Sequence, residues 1–185
     1  MRICFLGNSH AATHLRAAAS KRGFLLCDNP EEASVTFVSE DTSTDSEGRR
    51  DYAPILALIE VAKSGTAPIV LTSQVEPGFS RKHGVDYHQA ETLRIKDAEE
   101  RAFNPDYIVA GYAGAPPHGA YARYLEAFRC PIIHVTFEEA EFSKIAVNMT
   151  LASQVENTNR LALAARKCGA DWERISVILG YDKRI

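Results

Sequence analysis

Six residues near the amino terminus, Gly7-Asn8-Ser9-His10-Ala11-Ala12, follow a short apolar run and precede an alanine-rich stretch of helical pattern. In dinucleotide-binding folds a turn placed this way brings a pyrophosphate to the helix N-terminus, where free amide N–H groups and the helix dipole attract anionic oxygens. Against the pattern G-x-G-x-x-G/A, the first glycine is Gly7 and the last small residue is Ala12. The middle glycine is replaced by Ser9, whose Cβ crowds the phosphates. Asp28 stands 21 residues beyond Gly7, close to the spacing of ~20 for an acid that holds ribose hydroxyls. His10, in the same turn, is a candidate phosphate contact. Only six residues separate Asp28 from Val35, too few for a full helix and strand, so the wall around an adenosine half is reduced. Two readings stay open: a weakened NAD site built on Gly7, Ser9, His10 and Asp28, and a turn that only supports the fold.

Other reactive residue types offer less. His83 and His88 are five residues apart, a step with neither helical nor zinc-motif logic, and they read as solvated loop histidines rather than metal ligands. Cys4, Cys27, Cys130 and Cys168 are scattered without a C-x-x-C pair, which points to reduced, structural thiols in a cytoplasmic protein. With 45% hydrophobic and 24% charged residues and a net charge of −3, the composition is that of an ordinary globular domain. It gives no electrostatic reason to expect nucleic acid or a membrane surface as partner. No apolar run approaches the ~20 residues that span a bilayer. The opening MRICFLGNSH has a buried strand's pattern rather than a signal peptide's.

The elements that must position these groups alternate. Arg2–Leu6, FLLCD ending at Asp28, Val35–Val38, PIVLTS, YIVAG and PIIHV read as strands. Helical patterns fall near Ala11–Lys21, Tyr52–Lys63 and Tyr121–Phe128, and the polar SEDTSTDSEGRRD reads as a long loop. Short β-branched runs separated by helices predict an α/β fold, a Rossmann-like parallel sheet with helices on both faces. Right-handed crossovers then set every loop that follows a strand on one edge.

The last third changes character, which divides the chain into residues 1–135, a nucleotide-binding domain, and residues 136–185, a helical region. Thr136 and Glu139 have capping-box spacing, and neither glycine nor proline interrupts the chain before Gly169. This predicts a helix of about thirty residues, long for a globular domain. Phe142, Ile145, Met149, Ala152 and Val155 recur at helical steps and form an apolar face in need of a partner. Burial against a second copy is the preferred account, with packing inside one chain as the alternative. Gly169 as C-cap and Asp171 as N-cap predict a short final helix ending at Gly180.

From Val70 onward the residues resemble the UDP-glucose/GDP-mannose dehydrogenase family. LTSQVEPGFSRK is similar to the family's S-T-V-P-P-G-T, and YHQAETLRIKDAEERAFNPDYIVAG to its N-P-E-F-L-R-E-G…D…P-x-x-I-V-x-G. AEFSKIAVNMTLASQVENTNRLALAARKCGADWERISVILGYDKRI follows A-E-x-x-K-Y-x-x-N-x-x-L-A…N-E…G-A-D…G-x-D-x-R-I almost end to end. The resemblance implies NAD-dependent oxidation of a sugar nucleotide's hydroxymethyl group to a carboxylate. It makes Glu91 the glutamate of acid/base and hydrolysis chemistry, Lys144 the lysine that stabilises developing negative oxygen, and Asn148 the substrate-contacting asparagine. An ammonium and a carboxamide at i and i+4 can grip neighbouring oxygens of one ligand. Arg184 matches an arginine that reaches the sugar in a neighbouring subunit. The long helix corresponds to the family's dimerisation core, implying a homodimer.

Departures qualify these roles. Gln74, grouped with the cofactor-contacting positions, replaces the family's loop threonine and removes a hydroxyl from the reacting site. Gln89-Ala90 stands for Asn-Pro, and Ile95 for a second glutamate. The sequence ends at Ile185, ahead of the family's G-F-G-G-x-C-F-x-K-D segment, and the second oxidation requires a thiol nucleophile. None of the four cysteines lies in such a context. The expectation is a sugar-nucleotide-binding, oxidoreductase-type protein that does not complete a four-electron oxidation alone. A non-catalytic binding or regulatory dimer, and one half of a split enzyme completed by a second polypeptide, are the alternatives.

Overall fold

The computed structural model describes residues 1–184. Seven strands form one sheet: β1 (Arg2–Leu6), β2 (Leu25–Cys27), β3 (Val35–Val38), β4 (Ile69–Leu71), β5 (Tyr87–Gln89), β6 (Ile108–Tyr112) and β7 (Ile132–Thr136). Their order is β2-β1-β3-β4-β5-β6-β7. Side chains alternate across it as the period of two requires. Ile3, Phe5, Val35, Phe37 and Val70 join one buried cluster with α1 (His10–Lys21), α4 (Ala98–Phe103) and α5 (Gly119–Leu125). Val38, Ile69 and Leu71 join another with α2 (Ala53–Ala62) and α3 (Phe79–His83). A sheet covered on both faces was the sequence expectation.

One part of that expectation is corrected. β5 pairs with β6 antiparallel, while β6 and β7 run parallel to each other. The carboxyl ends of β6 and β7 therefore lie on the edge opposite those of β1 to β5, and the loops after strands do not all share one edge. The reading missed β5 itself, three residues reading Tyr87-His88-Gln89, too short and too polar to be read as a strand. The chain leaves β5 through the segment that holds α4 and enters β6 in the opposite direction.

The strand order reverses between β1 and β3, since β2 lies on one side of β1 and β3 on the other. This is the place at which open α/β sheets leave a crevice at their carboxyl edge. The connection between Asp28 and β3 is one 3-10 turn at Pro30–Glu32, the shortened wall that the six-residue spacing implied.

Two units divide at residue 144. In the first, the initial turns of α6 (Phe137–Lys167) lie on the sheet, with Phe137, Ala140 and Glu141 buried. They start on the predicted capping box: the Glu139 N–H donates to Thr136 Oγ1 at 3.3 Å, and the Thr136 N–H donates to Glu139 Oε2 at 2.7 Å. Gly111 makes this approach possible, because a Cβ there would come within 2.5 Å of the Ala140 Cβ. The second unit holds the rest of α6 and α7 (Trp172–Leu179), which begins at the Asp171 cap. Its large apolar side chains are open to solvent, among them Met149, Leu151, Val155, Leu163 and Ile178. No helix among the described residues is long and apolar enough to cross a membrane.

Gly7 fixes the first turn. Its φ is +100°, and an added Cβ would lie 2.1 Å from the Ser39 carbonyl oxygen after β3. Gly7→Ala combines a left-handed backbone, which costs about 1–3 kcal/mol in a non-glycine residue, with a direct clash. A urea titration of this variant is expected to show its midpoint clearly lowered; an unchanged midpoint would contradict the close approach.

Candidate functional site

The crevice at the reversal of strand order is a cavity of about 400 Å³. The first turn enters it with Ser9 and His10, the segment after β3 with Glu40 and Asp41, the segment after β4 with Thr72 to Gln74, and the segment after β5 with Glu91. Ser9 is the N-cap of α1: the Ala12 N–H donates to its Oγ at 3.0 Å. The same hydroxyl lies 2.7 Å from Ser39 Oγ, and Ser9 is buried. Serine in the middle-glycine position is thus a helix cap that fills the space where a phosphate would come close.

Glu91 and Lys144 meet at this edge. Lys144 Nζ is 3.1 Å from Glu91 Oε2, each side chain about one-fifth exposed, at 19% and 21%. Glu91 is fixed further by the Leu93 N–H, which donates to Oε1. Lys144 is held in place through Glu141, one turn earlier on α6. Its buried carboxylate accepts from the N–H groups of Gly78 and of Ser80, the latter at 2.7 Å. A carboxylate satisfied by two backbone donors is one of the stronger anchors a fold can carry. It pins α6 to the turn after β4 and aims the lysine at the segment after β5.

Sequence reasoning brought Glu91 and Lys144 into one site through their separate roles, and the structure joins them as an ion pair. Of the remaining candidates, Ser9, His10 and Gln74 line the cavity. Asp28 is exposed at the end of β2 and does not line the cavity. Gln74 lines it with its backbone carbonyl engaged, accepting from Arg50 Nη1 at 3.0 Å. Asn148 and Arg184 belong to the second unit, where Asn148 is exposed and Arg184 pairs with Asp182.

No family model matches the chain. Individual proteins do. It is 33% identical over 171 residues to UDP-glucose 6-dehydrogenase YwqF of Bacillus subtilis, a match covering 83% of this chain and 39% of that enzyme. It is 26% identical to UDP-glucose 6-dehydrogenase of Pseudomonas aeruginosa, over 86% of this chain and 40% of that one. The solved UDP-glucose dehydrogenase of Pyrobaculum islandicum superposes with a TM-score of 0.80 at 24% identity, covering the whole of this chain and 57% of its own. Over most of its own length the chain is similar to nucleotide-sugar dehydrogenases of the UDP-glucose/GDP-mannose type. It spans about 40% of the length of these two sequence relatives.

This similarity makes NAD the cofactor to test against the site. Three of the N–H groups of the first turn are engaged. Asn8 N–H donates to Glu40 Oε2 at 3.1 Å, His10 N–H to Asp41 Oδ2 at 3.4 Å, and Ser9 N–H to the Ser39 carbonyl at 3.4 Å. Among the described residues the cavity lining carries the carboxylates of Glu40 and Asp41, with that of Glu91 paired to Lys144, and no lysine or arginine. At about 4 Å and an effective dielectric near 20, each like-charge pair opposes binding by roughly 4 kcal/mol. A helix N-terminus attracts an anion by at most about 2 kcal/mol. In this arrangement the residues do not fit a dinucleotide. Sequence reasoning missed Glu40 and Asp41 because they lie in a loop some thirty residues from the turn they fill.

His88 is a second correction. It is not a solvated loop histidine: it sits on β5, 3% exposed, with Nδ1 3.3 Å from the buried Ser80 hydroxyl. Burial pushes its imidazole down from 6.5 to about 3. The unfolded chain takes up a proton below pH 6.5 that the folded chain refuses, so stability is full above that value and falls as pH drops toward 3. Between pH 7 and pH 5.5 the wild-type chain is expected to lose about 1 kcal/mol more than His88→Asn. Chemical denaturation at the two pH values checks this, and equal losses would mean that the imidazole titrates in the fold.

Proposed function

We propose that the chain is a sugar-nucleotide-binding protein of the nucleotide-sugar dehydrogenase type, with Glu91 and Lys144 facing the ligand and a cytoplasmic location. The Glu91–Lys144 pair at 3.1 Å is the observation that supports this most. A half-buried acid and base, fixed by separate backbone and side-chain anchors beside a cavity, contribute little to core packing. They suit a ligand carrying anionic and hydroxyl oxygens: the ammonium donates to a phosphate or alkoxide oxygen, and the carboxylate exchanges a proton with a hydroxyl. Asn148 and Arg184 enter this reading through the resemblance, as substrate contacts. Oxidation as such requires NAD, in a two-electron or proton-transfer step, and the first turn decides that part.

A homodimer formed through α6 is part of the same reading. In the second unit Met149, Leu151, Val155 and Leu163 are between 55% and 62% exposed, more apolar surface than a monomeric helix ordinarily leaves in water.

Calorimetric titration with UDP-glucose and with GDP-mannose is expected to give saturable binding of at least one. Lys144→Ala is expected to weaken it about tenfold, the effect of one lost charge-assisted hydrogen bond. Flat titrations with both ligands would discard the reading. Light scattering behind size exclusion is expected to return twice the 20.4 kDa of one chain, and Met149→Glu to reduce that mass; a wild-type monomer would defeat the dimer.

A further inference from the structure

The first turn and the segment after β3 form a closed set of hydrogen bonds. Glu40 accepts from two backbone donors, Asn8 N–H at 3.1 Å and Asp41 N–H at 3.2 Å, one on each carboxylate oxygen. Its own N–H donates to Ser73 Oγ at 2.8 Å, beyond the end of β4. Glu40 is therefore tied to the first turn through its carboxylate and to the segment after β4 through its backbone. Asp41 adds a second negative charge at the His10 N–H, and the Ser9 hydroxyl takes the Ala12 N–H. Backbone donors at the start of α1 thus meet oxygen atoms of the chain itself, and two of those oxygens are anionic. Two carboxylates at a helix N-terminus satisfy the same N–H groups and the same dipole that otherwise recruit a pyrophosphate.

We infer that Glu40 and Asp41 are a built-in occupant of the dinucleotide's anion site, and that they close this crevice to NAD and NADH. The inference does not depend on the sugar-nucleotide reading, since it concerns the first turn and not the Glu91–Lys144 pair. Charge and bulk act together. A dinucleotide would have to expel Glu40 from two hydrogen bonds, approach Asp41, and pass the Ser9–Ser39 hydroxyl contact, where Ser9 is buried. Oxidation by this fold then needs a rearrangement that withdraws the segment after β3.

The test is an NADH fluorescence titration of the full chain, of two double variants and of one triple variant. Wild-type protein is expected to show no saturable binding up to about 1 mM. Glu40→Ala/Asp41→Ala, which removes both charge and bulk, is expected to bind at least tenfold more tightly than that limit. Adding Ser9→Gly should tighten binding further. Wild-type saturation at tens of micromolar NADH would overturn the inference. So would an Ala double variant that keeps the wild-type circular dichroism spectrum and melting temperature yet binds no better. Should the Ala variant fail to fold, Glu40→Gln/Asp41→Asn retains an acceptor for each N–H group while removing both charges. A gain of NADH binding there supports the inference, and none overturns it.

Discussion

The buried carboxylate of Glu141, held by the N–H groups of Gly78 and Ser80, is the interaction on which the site's geometry depends. Two backbone donors and one anion make a short, directional contact that hydrophobic burial by itself would not supply. Through it the first turns of α6 are registered against the turn that follows β4. Gly111 cooperates by having no side chain, so that Ala140 can settle on β6. Lys144 then follows three residues later at the carboxyl edge of the sheet, within 3.1 Å of Glu91. A lysine on a helix and a glutamate on a loop, 53 positions apart in sequence, are joined because a third residue fixes the helix.

The same sheet edge carries a second electrostatic arrangement with the opposite sense. At the reversal of strand order the chain supplies its own anions to the start of α1. The scaffold of a dinucleotide-binding fold, with strand, glycine turn, helix and acid in order, is kept. Its attraction for a phosphate is spent internally. Backbone topology and site chemistry are therefore separable here: the first is set by strand order and the φ of Gly7, the second by which side chains follow β3.

Much of the fold was legible because its signals are local. Alternating apolar residues gave six of the strands, and the Thr136 and Glu139 spacing gave the capping box that the hydrogen bonds display. Gly169, at a φ of 72°, and the Asp171 cap bounded the two C-terminal helices as read. β5 escaped because three residues with a histidine at their centre carry no periodic pattern, and its antiparallel neighbour reverses β6 and β7. Of the site, Glu91 and Lys144 were legible through motif likeness, whereas their direct contact was not.

By itself, the sequence determined the alternation of strands and helices, the glycine turn with serine at its centre, the helix boundaries and the family likeness. Each depends on residues within a few positions of one another or on a motif carried whole. Tertiary structure alone decided the direction of β6 and β7, the burial of His88, and the meeting of Glu40 and Asp41 with the start of α1. Those outcomes depend on which distant segments the sheet brings side by side. A carboxylate in a polar loop looks solvated until the strand order places it against a helix's free N–H groups.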